Sequence, residues 1–201
     1  MQLSPAVVVV APVSIVMLFA TAIIGVDRLG FRDVSHFYTP LYDYVAWRTS
    51  SDWLPLWNPL DQTGIPLAGE TTTAVFYPLR YLLFAFPVSS EVAMSWCVAV
   101  HLILASLTAR LAARWAGVGP LAASIAGVLY ALSGSVLFLY TNPPFLVSAA
   151  WLPLALGAML ASHPLAKRTR TIFAGTSMSM MVVGGDPQTA LHAMIVASLV
   201  W

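Results

Sequence analysis

The stretches AVVVVAPVSIVMLFATAIIGV (residues 6–26) and VGPLAASIAGVLYALSGSVLFLY (residues 118–140) contain no Asp, Glu, Lys or Arg. Each is long enough to cross the roughly 30 Å of hydrocarbon in a bilayer as a helix. Only 8% of the 201 residues are charged and 59% are hydrophobic, whereas a soluble domain carries about 25% charged residues. Lipid must therefore cover much of the surface. The chain is predicted to be an all-α, polytopic transmembrane helical bundle.

Apolar runs of this kind recur along the whole chain, which is interpreted as a single transmembrane domain. Spans are predicted at six places: 6–26, 91–113, 118–138, 145–162, 171–185 and 188–201. The first run has no preceding Lys or Arg and exceeds the usual 7–15 apolar residues of a secretory signal, so it is expected to remain as a helix. The last run is still apolar at Trp201, which favours an amino-terminal fragment of a longer protein. A shorter apolar stretch, 73–88, is broken by Pro78, Arg80 and Pro87 and is predicted to be re-entrant or interfacial.

Two short loops carry five of the nine basic residues. These residues are Arg110, Arg114, Lys167, Arg168 and Arg170. Short loops rich in Lys and Arg stay in the cytoplasm. Alternating spans then place segment 27–90, the first loop, on the extracytoplasmic side together with the turns at 141–144 and 184–187. All eight acidic residues face outward in this topology, seven of them between Asp27 and Glu91.

Charge and motifs also exclude several classes of function. A net charge of +1 without a basic stripe argues against nucleic acid as a partner. The single cysteine, Cys97, cannot form an intramolecular disulfide or a cysteine metal cluster. No Walker A, GxGxxG, HExxH or GxSxG motif occurs. Nucleotide hydrolysis, dinucleotide binding and simple serine or zinc hydrolysis therefore have no support.

The first loop interleaves aromatic residues, prolines and single charges, a composition typical of an ordered segment at a membrane interface. Asp33 is followed by FYTPL at 37–41, LPLWNP at 54–59, GIPL at 64–67 and FYPL at 76–79. Further on come YALSG at 130–134, AWLPL at 150–154 and GGDPQT at 184–189. Together these motifs resemble the YfhO family of bacterial membrane proteins, within the wider class of C-type glycosyltransferases. The family pattern has His where this sequence has Asp186.

The resemblance implies a C-type glycosyltransferase-like fold in the bacterial cytoplasmic (inner) membrane. It also implies transfer of a sugar from a polyprenyl-phosphate donor to a glycan or other hydroxyl acceptor on the extracytoplasmic face. A base that takes the proton of the acceptor hydroxyl contributes about 10²–10⁴ in rate. In C-type enzymes an acid in the first outer loop commonly has this role, and Asp33 occupies the matching place. The local alternative is that Asp33 caps a helix that begins near Val34.

A donor phosphate needs cationic partners on the same side of the membrane. The topology offers three: Arg32, Arg48 and Arg80. Arg80 lies in an otherwise apolar stretch, where an unpaired charge costs about 2.5–3.5 kcal/mol on insertion scales. It is therefore predicted either to bind the donor or to snorkel to the lipid headgroups.

A divalent cation is a further hypothesis. His36 follows Asp33 by three residues, so a helix would present both side chains on one face. With Asp43 or Asp186 added, the set would suit Mg²⁺ or Mn²⁺.

Polar residues at the junction of the fifth and sixth spans are predicted to close the substrate site from its far edge. They are Asp186, Gln188 and His192. For Asp186 and Gln188 the alternative is an ordinary turn and capping role after the two preceding glycines.

Other residues within the spans are interpreted as packing. A histidine within a span, such as His101, is more often a hydrogen-bonded residue between helices than a ligand, and no role is assigned to it. Gly127, Ala131 and Gly134 in the third span indicate close contact with a neighbouring helix.

Two further functions stay open from the sequence. A lipid or glycan flippase or transporter would also use broken helices and intramembrane charges such as Arg80. A non-catalytic envelope assembly protein would use the ordered first loop as a docking surface.

Overall fold

A computed structural model describes residues 6–61, 63–160 and 166–200. The α-helices are α1 (Ala6–Leu18), α2 (Ala20–Ile23), α3 (Thr39–Ser51), α4 (Pro78–Phe84), α5 (Ser90–Trp115), α6 (Pro120–Ala131), α7 (Gly134–Phe138), α8 (Pro143–Leu160), α9 (Lys167–Val183) and α10 (Pro187–Val200). A π-helical turn, Val34–Tyr38, precedes α3. The strands β1 (Trp57–Asn58) and β2 (Ile65–Pro66) form one small antiparallel hairpin. The predicted all-α class is confirmed.

Among the described residues, three helical stretches are long and apolar enough to cross a membrane: Ser90–Trp115, Pro120–Thr141 and Pro143–Leu160. The middle one joins α6, α7 and a short 3-10 turn. Its residues Leu121, Ile125 and Leu129 are 50%, 48% and 66% exposed. Their spacing of four residues places them on one helix face, and a long exposed apolar face marks contact with a membrane. The chain is therefore a membrane protein, and this exposed apolar face contacts lipid.

The other predicted spans also coincide with helices. The first falls on α1 and α2, the fifth on α9 and the sixth on α10. Within the described residues these helices are shorter than the three spanning stretches, and Val9–Leu18 is a short apolar helix. The count of six spans therefore stays a prediction.

Close packing at the centre of the bundle depends on small residues. Helix α5 packs against both α6 and α8. A Cβ atom on Gly127 would lie 2.5 Å from the carbonyl oxygen of Ser106, and Ala131 is fully buried. The expected close contact is confirmed for these two residues but is wrong for Gly134, because nothing lies within 4 Å of its Cβ position. Gly134 begins α7 after a break in the helix and so leaves the packed face of α6.

Long-range contacts assign each connection to one end of the bundle. Near the carboxyl end of α5, the ring of Trp115 lies 5.2 Å from that of Phe173, which places the two basic segments at the same end. At the opposite end, Tyr38 of the first loop contacts Asn142, and Gly185 approaches the first loop closely. The first loop and the turns after α7 and α9 therefore meet at one end.

The first loop is held on the bundle by a buried hydrogen-bonded chain. The Tyr77 hydroxyl lies 2.6 Å from Nε2 of His101 and accepts a 3.0 Å hydrogen bond from Nε1 of Trp151. Nδ1 of His101 lies 2.6 Å from the carbonyl oxygen of Cys97. Since a carbonyl can only accept, Nδ1 carries the hydrogen and Nε2 accepts from Tyr77. Both ring nitrogens of His101 are therefore hydrogen-bonded, and burial raises the pKa of Tyr77.

Candidate functional site

Asp33 lies directly before the π-helical turn and is exposed. Its side chain makes no capping hydrogen bond, so the structure does not show the capping alternative. The preceding residue, Arg32, has φ of 57°, a conformation uncommon outside glycine. The Ser35 hydroxyl donates to the Arg32 carbonyl oxygen at 3.2 Å. A tight turn at Arg32 therefore leaves the Asp33 carboxylate exposed at the surface of the first loop.

Tyr38 connects the surroundings of Asp33 to the turn after α7. Its hydroxyl donates a 2.9 Å hydrogen bond to Oδ1 of Asn142. Burial raises the pKa of Tyr38, the negative charge of Asp33 raises it further, the Asn142 bond lowers it, and Glu70 adds a smaller upward effect. The charges of Asp33 and Glu70 thus act on the pKa of Tyr38 in the same direction.

Sequence reasoning did not select Tyr38, Glu70 or Asn142 as site residues. The available signals were the FYTPL motif, which contains Tyr38, and the Asn-Pro pair that starts the turn before α8. Neither signal indicates that residues 104 positions apart are bonded.

The turn between α9 and α10 brings Asp186 to the end of the bundle where the first loop lies. Gly185 has φ of 109°, and a Cβ there would lie 2.9 Å from the carbonyl oxygen of Thr71. Asp186 is 2% exposed. Its Oδ1 accepts a 3.0 Å hydrogen bond from the Thr189 amide, whereas the buried Oδ2 has no hydrogen-bond partner among the described residues. Asp186 therefore has the capping role through Oδ1 and keeps one acceptor available.

Gln188 and His192 are exposed on α10. They differ in this from Asp186, whose side chain is buried in the turn before α10. Their predicted role at the far edge of the site stays a prediction.

A polar cavity of about 550 Å³ adjoins the first turn of α5. Within it the Ser90 hydroxyl donates to Oδ1 of Asp43, and Arg28 lies 3.8 Å from Glu91. The wall also includes Ser35 of the π-helical turn. Carboxylates, hydroxyls and a guanidinium give this wall both donors and acceptors, the mixture that a polyhydroxyl ligand requires.

The hypothetical metal set is not assembled in the structure. His36 is exposed, and Asp43 is engaged by Ser90 in the polar cavity. Among residues 6–61, 63–160 and 166–200, no three His, Cys, Asp or Glu side chains are grouped so that they could hold a metal ion. Asp33 and His36 thus lack the third ligand that Asp43 or Asp186 was expected to supply.

Arg48 is engaged within the first loop. It donates to Oδ2 of Asp52 at 2.6 Å and to the Trp57 carbonyl oxygen at 3.3 Å. The bond to Asp52 raises the pKa of Arg48. These contacts join the carboxyl end of α3 to β1, which is a structural role. Arg32 is exposed.

Arg80 does not snorkel, because it is only 1% exposed. Its Nε donates to the Ala74 carbonyl oxygen at 3.0 Å. The guanidinium carbon lies 4.2 Å from the ring centroid of Tyr81 and 5.9 Å from that of Tyr42. Burial lowers the pKa of Arg80, and the neighbouring tyrosines oppose this effect. The short helix α4, within the predicted re-entrant segment, therefore packs its charge inward against α3.

These contacts gather Asp33, Tyr38, Glu70 and Asp186 at the loop end of the bundle, with the polar cavity on the same end. Comparisons with protein-family models, with curated proteins and with solved structures find no match to this chain. The similarity to the YfhO family thus stays a prediction that depends on the motifs.

Proposed function

We propose that this chain is the membrane portion of a C-type glycosyltransferase of the bacterial cytoplasmic membrane. It transfers a sugar from a polyprenyl-phosphate donor to a hydroxyl of a glycan on the extracytoplasmic face. The motifs of the first loop support this proposal through their resemblance to the YfhO family. The basic segments at the opposite end of the bundle support the orientation, because short basic loops stay in the cytoplasm.

One observation carries the choice of base. Asp33 is exposed, and no hydrogen bond or ion pair within the described residues occupies its carboxylate. A general base must reach the proton that it removes, and an unoccupied carboxylate meets this condition. Two other acids at this end are less free, since Asp43 is bound to Ser90 and Asp186 caps α10.

In the proposed reaction, Asp33 takes the proton of the acceptor hydroxyl as its oxygen attacks the anomeric carbon. The new carbon–oxygen bond forms while the bond from the anomeric carbon to the phosphate oxygen breaks. The polyprenyl phosphate leaves with that electron pair. The polar cavity beside α5 offers the hydrogen-bonding groups for the acceptor sugar.

The test is transfer of radiolabelled sugar from a polyprenyl-phosphate donor pool to membrane glycans by purified full-length protein. Asp33→Asn is expected to lower transfer by about 10²-fold or more, the usual contribution of a general base. The matched control is Asp61→Asn, another exposed carboxylate of the first loop. It is expected to keep wild-type transfer.

Equal transfer by the wild type and Asp33→Asn would remove Asp33 as the base. Transport of a labelled lipid without sugar transfer would instead identify a flippase. A wild-type protein with neither activity, yet required for envelope assembly in cells, would fit the assembly function.

A further inference from the structure

The two terminal nitrogens of Arg80, Nη1 and Nη2, are buried and have no hydrogen-bond partner in the part of the chain that the structure describes. Neither salt bridge found within the described residues involves Arg80. A guanidinium stays protonated and offers a planar set of donors that matches phosphate oxygens. The buried hydroxyl of the adjacent Tyr81 also lacks a geometric hydrogen-bond partner within the described residues, and its proximity to the guanidinium opposes the lowering of the Arg80 pKa by burial. Two neighbouring groups thus offer hydrogen bonds to which the described chain supplies no acceptor.

A cavity of about 410 Å³ lies against these groups, between α3 and α4. Arg80 and Tyr81 line one side, and Ala46, Thr49 and Ser50 line the other. The hydroxyls of Thr49 and Ser50 already donate to backbone carbonyls of α3. No acidic residue occurs among the described lining residues, so no wall of the cavity repels an anion.

Solvent does not reach the guanidinium in this conformation. The ring of Tyr81 stacks on Arg80 with its centroid 4.2 Å from the guanidinium carbon, and Nη1 and Nη2 have almost no accessible surface. Tyr81 itself is only partly buried and lines the cavity, and access of a ligand to the guanidinium requires the Tyr81 ring to turn into that space. That rotation would open the guanidinium to a ligand held between the two helices.

We propose that Arg80 and Tyr81 form a binding site for a phosphate group. Its oxygens accept hydrogen bonds from Nη1, Nη2 and the Tyr81 hydroxyl, after the Tyr81 ring turns away from the guanidinium. Three converging donors suit the tetrahedral oxygens of a phosphate. The phosphate comes either from a lipid headgroup or from free inorganic phosphate. Binding of a lipid phosphate here deepens the proposed function and rests on it, because the sequence already offered Arg80 as a partner of the donor phosphate; the binding itself is tested without the transfer reaction.

The test measures thermal unfolding of purified full-length protein in an uncharged, phosphate-free detergent. The two probes are inorganic phosphate and decyl phosphate, with decanol as the control for the alkyl chain. Decyl phosphate is expected to raise the Tm of the wild type in a concentration-dependent way. Arg80→Gln is expected to weaken its apparent affinity by about tenfold or more, since each charge-assisted hydrogen bond is strong. Arg48→Gln is the matched arginine control and is expected to bind like the wild type.

A Tm increase with both probes, lost in Arg80→Gln, would support the site and assign it to free phosphate. An increase with decyl phosphate alone would support it and assign it to a lipid headgroup. No increase in the wild type, or an equal increase in Arg80→Gln, would overturn the proposal. If Arg80→Gln does not fold, Arg80→Lys and Tyr81→Phe decide, because unchanged affinity in both would also overturn it.

Discussion

Removing the Tyr77 hydroxyl should weaken the attachment of the first loop to the bundle. In Tyr77→Phe, Nε2 of His101 loses its donor and Nε1 of Trp151 loses its acceptor, at sites now joined by 2.6 Å and 3.0 Å contacts. A hydrogen bond contributes about 1 kcal/mol net, and those between membrane helices average about 0.6 kcal/mol. Two lost bonds therefore predict a fall of about 1–2 kcal/mol in the free energy of unfolding.

The fall is measured by reversible unfolding in mixed micelles at increasing denaturing detergent. Tyr140→Phe is the matched control, because the Tyr140 hydroxyl makes no hydrogen bond within the described residues, and no change is expected. In a double-mutant cycle, Tyr77→Phe and Trp151→Phe should be coupled by about 0.5 kcal/mol or more, as contacting residues are. A Tyr77→Phe variant as stable as the control, or strict additivity in the cycle, would refute the hydrogen-bonded chain.

Two further predictions concern packing and capping. Gly127→Ala should cost about 1–3 kcal/mol by overpacking, because its Cβ would meet the Ser106 carbonyl oxygen at 2.5 Å; Gly134→Ala, with free space around it, should be neutral or stabilising. Unfolding curves of the two variants check this, and equal stabilities would contradict it. Asp186→Ala should cost about 1 kcal/mol through loss of the cap on α10, whereas Asp186→Asn keeps the accepting oxygen and most of that stability. The same unfolding assay decides, and an Asn variant as weak as the Ala variant would show that the cap is not the cause.

The sequence predicted the helices well because their signal is local. Long uncharged runs can satisfy their backbone hydrogen bonds in lipid only as helices or closed barrels, and within the described residues each predicted span falls mainly on helix. The breaks were harder to predict. The third span divides at Leu132, where Ser133 caps α7 by accepting from the Val136 amide at 3.4 Å. Serine before an apolar run is a capping signal. The hydropathy of residues 118–140 nevertheless stays high across Ser133, so it does not indicate a break in the helix.

The candidate site was only partly predictable because its contacts are long-range. Asp33 was found through a family motif, but the hydrogen bond that ties the following turn to the bundle joins Tyr38 to Asn142, 104 positions apart. Arg80 was expected to bind the donor or to snorkel, and both alternatives treat α4 as an isolated helix at the membrane surface. In the structure α3 covers α4 and buries the guanidinium, so snorkelling is wrong. No local pattern shows which helix will cover a charge.

The position of Asp33 depends on distant parts of the chain. The first loop is attached through Tyr38 to the turn after α7, through Tyr77 to α5 and α8, and through the close approach of Gly185 to the turn after α9. A catalytic group must be held within about 0.5 Å of its productive position by its supporting contacts. Substitutions at Tyr77 or Gly185 should therefore lower transfer even where the protein folds and Asp33 is intact. The motifs that suggested the function contain both residues, which is consistent with a loop whose geometry the reaction requires.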